Sequence, residues 1–136
     1  MRLHVVFTIA AVLMIVLGLA SLLAPATMQA AAGMEVAPSS GFLMTMRFGG
    51  VEMLGLGLIA WLVRSTEASK ARDGVALGFT IYFALHALTS LYGQFTDTTT
   101  SVHWVAATIQ GLLAIGFFMA SRTGLSTSAS SPLVHH

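Results

Sequence analysis

Apolar residues arrive along the chain in four long runs, parted by short polar stretches. A helix crossing the hydrocarbon core of a bilayer needs roughly 20 mainly apolar residues, and four segments meet that length. They run from about Val5 to Ala24, stopping before Pro25, and from about Gly41 to Val63, Gly74 to Gly93 and Val102 to Ser121. The pattern predicts an all-α membrane protein, a four-transmembrane-helix antiparallel bundle occupying residues 1–122. Its loops are short, so consecutive helices are expected to be neighbours. Residues 123–136, rich in Ser and Thr, read as a disordered cytoplasmic tail. His135 and His136 at its end are given no role.

The first run has a rival reading as a cleaved signal peptide, with Arg2 as its basic start and small residues around Ala26 to Ala32. Its length exceeds the roughly 7–15 apolar residues of such a segment, which favours a retained helix. Orientation follows from the cations outside the spans. Arg2, Arg64, Lys70, Arg72 and Arg122 all fall on one side, while the other two loops carry Glu35 and Asp97 without Lys or Arg. The positive-inside bias puts the first side in the cytoplasm, and with it both termini. Trp61, Tyr92 and Trp104 lie near span ends, where aromatic belts form.

Composition agrees: 56% of the 136 residues are hydrophobic and only 8% charged, against about a quarter charged in soluble domains. Mean hydropathy is +0.85. A formal net charge of +1 offers no field to attract nucleic acid. The absence of cysteine removes disulfides, thiolate metal sites and thiol catalysis. These observations point to a multi-pass protein of a plasma (inner) membrane, with membrane lipids as the first partners.

In lipid, helices associate through close packing of small residues and through interhelical hydrogen bonds. The second span is rich in glycine. At 100° per residue, Gly50, Leu54 and Gly57 share one face with Arg47 on the same side, whereas Gly49 and Gly55 flank Glu52 on the roughly opposite side. The third span begins with Gly74 and Gly78 at packing distance. It also bears a polar stripe of Tyr82, His86, Thr89, Ser90 and Gly93. In the fourth, His103 and Gln110 are a heptad apart. All six of Gly49, Gly50, Gly55, Gly57, Gly74 and Gly78 are expected to serve helix packing.

Four polar residues lie at depth. At about 1.5 Å per residue from the outer ends, Arg47 is ~9 Å in, His86 ~10 Å, Gln110 ~13 Å and Glu52 ~16 Å. A charge near the bilayer centre costs at least a few kcal/mol, so such residues usually face an interior and often mark function. Arg47, Glu52, His86 and Gln110 therefore form a candidate intramembrane ligand-binding cluster, on three spans able to converge. Glu52 is the most informative of them. The bland alternatives are a protonated or paired Glu52 fixing helix register, an Arg47 reaching the interface, a His86 bonded to a nearby hydroxyl or carbonyl, and a Gln110 acting as interhelical glue.

The residues present no catalytic set, no metal motif and no cofactor motif. No histidine pair has the spacing of ligands on one helix face. Axial haem ligation needs two histidines at comparable depth, but His86 is deeper than His103 and His4 is at the other end. The glycines lie inside an apolar span rather than in a phosphate-binding turn between strand and helix.

The segment MRFGGVEMLGLGLIAWL resembles a pattern of small bacterial four-helix membrane proteins catalogued as a domain of unknown function and broadly DoxX-like. An Arg followed by small residues opens the second span and a Gly-x-Gly stretch continues it, matched by Arg47, Gly49, Gly50, Gly55 and Gly57. The likeness extends loosely to about Arg122. It implies the four-helix architecture and, through that group, membrane redox chemistry, for which the residues show no redox centre. The leading expectation is a non-catalytic accessory or scaffolding subunit packing against a larger membrane complex or against itself. The alternatives are a binder or carrier of a quinone or other lipid, and a proton-coupled small-molecule transporter acting as a dimer through Glu52.

Overall fold

The computed structural model describes residues 2–33, 39–96 and 102–128. These residues form five helices and no strand: α1 Leu3–Leu23, α2 Pro25–Ala31, α3 Ser40–Val63, α4 Lys70–Thr96 and α5 Val102–Ser128. Four of them, all but α2, are long and apolar enough to cross a membrane. The loop residues Glu35 and Asp97 and the tail beyond Ser128 lie outside the described residues.

Local chemistry sets the helix ends. Pro25 lacks the N–H that would continue α1 and instead opens α2 at its first position, where no donor is needed. Ser39 caps α3, its hydroxyl accepting from the Phe42 N–H at 3.2 Å. Ser69 does the same for α4 through the Arg72 N–H at 3.2 Å, and Asp73 in that first turn suits the positive end of the helix dipole. The α4 helix therefore starts at Lys70 rather than near Gly74. The α5 helix continues past Arg122 to Ser128, so residues 123–128 are helical rather than part of a disordered tail.

The helices pair as two antiparallel hairpins, α1 with α3 and α4 with α5, and α1 against α5 joins the pairs. The spans α3 and α4 are consecutive in sequence, yet among the described residues their backbones do not pack on each other. This departs from the expectation that short loops make neighbours of successive helices. The reason lies in α1, whose small and slender positions Ala10, Ala11 and Gly18 are buried and let it serve two neighbours at once.

The apolar core sits in the half of the bundle next to Arg2 and the 64–69 turn. Val6, Phe7, Ala10, Ala11 and Met14 of α1 meet Ala60 of α3, Ala76, Phe79 and Phe83 of α4, and Leu113, Ala114, Phe117 and Ala120 of α5. At its centre is a knot of four phenylalanines. Phe7 stands edge-on to Phe79 and Phe117, with centroids 5.8 and 5.0 Å away. Phe117 stacks on Phe79 at 5.3 Å and on Phe83 at 6.0 Å. These are the offset and edge-to-face arrangements that ring quadrupoles favour, and they tie α1 to the α4–α5 hairpin.

Candidate functional site

Because α3 and α4 stand apart, a lateral cleft of about 320 Å³ opens between them. Leu56 and Ile59 form one wall; Val75, Gly78, Phe79 and Tyr82 form the other. Helical spacing explains the lining: Leu56 and Ile59 share one face of α3 with Glu52 a turn before them, as Val75, Gly78 and Tyr82 share one face of α4 with His86 a turn after them. The lining is apolar apart from the Tyr82 hydroxyl, and polar residues follow beyond the Tyr82 end. There the Tyr82 ring lies 4.4 Å from that of His86, tilted by 43°, and Glu52 sits one turn beyond Leu56 on the facing helix. Glu52 and His86 are exposed and Tyr82 is half-buried.

This end carries a carboxylate, a phenol and an imidazole. Together they can donate to, or accept from, a carbonyl, hydroxyl or headgroup atom whose apolar body lies along Leu56, Ile59 and Phe79. A second hollow of about 300 Å³, between α1 and α3, is lined by Val12, Ile15, Val16, Leu58 and Trp61. It offers little hydrogen-bonding chemistry and serves as an ordinary lipid-facing groove.

The four polar residues expected to cluster separate into three places. Glu52 and His86 lie one helical turn beyond the lining of the α3–α4 cleft, past Leu56 and Tyr82 respectively. Gln110 is half-buried on α5 and accepts a hydrogen bond from the Ser90 hydroxyl at 3.0 Å, joining α4 to α5. Arg47 is exposed, on the side of α3 that carries Gly50 and Gly57 rather than the side of Glu52. Within the α4 stripe, Thr89 turns back to the Leu85 carbonyl at 2.9 Å and contributes no cross-helix bond. Gly93 lets the His103 ring approach, with a Cβ there meeting it at 3.4 Å.

The six glycines also divide. A Cβ on Gly50 would lie 2.8 Å from the Gly18 carbonyl oxygen and the Leu22 nitrogen, and one on Gly57 would lie 2.9 Å from Ile15 Cγ1. A Cβ on Gly49, Gly55, Gly74 or Gly78 would meet no atom within 4 Å. The first two seat α3 on α1, whereas the other four face outward or into the cleft. Gly18, outside the six, approaches as closely as Gly50: a Cβ on it would lie 2.8 Å from the Gly50 carbonyl oxygen and the Leu54 nitrogen. Its position as the lone glycine of the first span was the available signal. Tyr82 entered only as part of a stripe; its spacing from His86 was visible, but nothing local placed it opposite Glu52.

Among the described residues no group of three or more His, Asp or Glu side chains comes together to hold a metal ion. No protein-family model, curated protein or solved structure matches the chain.

Proposed function

We propose that this is a non-catalytic multi-pass membrane protein that binds a lipophilic molecule, a quinone or other lipid with a hydrogen-bonding head, in the cleft between α3 and α4. The observation that carries the reading is an apolar cleft with Tyr82 in its lining and with His86 and Glu52 one helical turn beyond it. The volume, about 320 Å³, is at the small end of ligand sites, which run from about 300 to 1,000 Å³. It suits a ring or a short length of acyl chain, with the remainder of the molecule in the bilayer. The distribution of cations supports an orientation with both termini in the cytoplasm.

A second reading, an accessory or scaffolding subunit of a larger assembly, is favoured by a different observation. Gly49, Gly55 and Gly74 have no atom within 4 Å of a Cβ position, and small residues on a lipid-facing surface admit the close approach of another chain's helix.

Native mass spectrometry of protein gently extracted from its own membrane, with lipids retained, separates the two. Binding predicts a monomer or dimer carrying one specific lipid-like mass, which Gly78→Leu abolishes by filling the cleft. A constant companion subunit with no such mass would overturn binding in favour of the accessory role.

A further inference from the structure

We propose that the basic end of the bundle holds the phosphate of an anionic lipid headgroup, in the hollow where the start of α1 meets the start of α4. Five of the six Lys and Arg residues, Arg2, Arg64, Lys70, Arg72 and Arg122, lie at this end, but they are not equivalent. The Arg64 guanidinium lies over the Trp61 ring, 3.3 Å from its centroid, and that of Arg122 lies over Phe118 at 4.4 Å. Both are clipped to aromatics of their own helix as interfacial anchors. Arg2 and Arg72 instead converge, with His4, on a hollow of about 290 Å³ whose remaining walls are Leu3, Ala68, Asp73 and Ala120.

Arg72 supplies the second observation. Its Nε is buried and has no hydrogen-bond partner. A buried donor left unmade is costly, so a turn of the guanidinium toward the hollow, where a phosphate oxygen would accept from it in a charge-assisted bond, is favoured. The same α4 start presents its dipole's positive end to the hollow, with the Arg72 N–H already taken by Ser69. A neighbouring hollow of about 360 Å³ shares His4 and adds Thr8, Arg64, Ser65 and Thr66. His4 therefore forms the ridge between two concave polar surfaces at the level where the spans end.

The lining distinguishes a lipid from a free anion. Donors come from Arg2 and His4 at the start of α1 and from Arg72 at the start of α4, while Leu3, Ala68 and Ala120 present hydrocarbon. A free phosphate would need donors all round. A lipid phosphate has glycerol and acyl chains attached, and these continue along the apolar helices. Asp73 is the one opposing charge in the wall, and it sets the sign of a control.

The test is native mass spectrometry of the full chain reconstituted in mixed phosphatidylglycerol and phosphatidylethanolamine. Wild-type protein is expected to retain phosphatidylglycerol preferentially. A juxtamembrane cation changes affinity for anionic lipid by about fivefold, so Arg72→Gln should cut the preference by about that factor and Arg2→Gln should cut it further. Asp73→Asn should raise it, an opposite shift that misfolding would not produce. Equal retention of the two lipids, or a preference unmoved by the arginine variants, overturns the proposal. Displacement of the bound lipid by inorganic phosphate overturns the lipid assignment in favour of a free anion.

Discussion

Gly18 and Gly50 face each other across the α1–α3 interface, each so close that a methyl on one would lie 2.8 Å from the carbonyl oxygen of the other. No side chain intervenes, and the two backbones pack directly, with Gly57 against Ile15 continuing the seam toward the basic end. Gly18→Ala and Gly50→Ala are each expected to destabilise the hairpin by about 1–3 kcal/mol, the usual cost of overpacking. Gly49→Ala and Gly55→Ala, where a Cβ meets nothing, should be neutral or stabilise by up to about 1 kcal/mol through helix propensity. Unfolding in mixed micelles of mild detergent and dodecyl sulfate reads both pairs. Equal effects across the four would contradict this division of the glycines.

Phe117 is fully buried and touches Phe7, Phe79 and Phe83. Truncation leaves a void that the four rings cannot easily close. In a soluble core Phe→Ala costs about 3–5 kcal/mol. In a bilayer the transfer from water falls away and mainly the packing loss remains, so Phe117→Ala should cost about 1–3 kcal/mol. A cross-link or distance probe between α1 and α5 should report loosened hairpins, with each hairpin intact. A variant as stable as wild type would show that the rings do not join the hairpins.

The Ser90 hydroxyl to Gln110 amide bond, 3.0 Å long, is expected to be worth about 0.6 kcal/mol, as interhelical hydrogen bonds in membranes average. A double-mutant cycle with Ser90→Ala and Gln110→Leu should return a coupling energy of that size. A coupling near zero would mean that each group is satisfied equally well without the other.

Filling the cleft should separate binding from folding. Gly78 lines it, and a Cβ there meets nothing within 4 Å, so Gly78→Leu and Gly78→Phe should fold with wild-type stability while losing the retained lipophile. Glu52→Gln and Tyr82→Phe keep the shape and alter the polar end, so they should weaken retention of a molecule with a hydrogen-bonding head and leave plain hydrocarbon unaffected. Retention unchanged in Gly78→Phe would place the ligand elsewhere.

Much of the fold was legible because lipid is a demanding solvent. Backbone groups must be satisfied within each crossing segment, so runs of apolar length become helices whatever their detailed residues. All four spans predicted from pattern are helices, though the short α2 helix after Pro25 and the extension of α5 to Ser128 were not foreseen. The pairing of spans was less legible. The Gly50–Gly57 face was visible on a helical wheel, but its partner was not, since any neighbouring helix would seat against glycine. Nothing in the order of the spans shows that α1 takes α3 and α5 as neighbours while α3 and α4 stand apart.

The candidate site divides along the same line. Depth along the helix follows from counting, which brought Glu52 and His86 to notice. Azimuth relative to other helices depends on which faces the packing consumes. Once Gly50 and Gly57 are spent on α1, Glu52 must turn toward α4, and Arg47 falls on the other side. By itself, the sequence determined an all-helical chain with four segments able to cross a membrane, because hydrogen bonding in hydrocarbon is settled locally. Tertiary structure alone decided which glycines touch, which polar residues meet and where a cleft stays open, because those depend on side chains from distant spans competing for the same few faces.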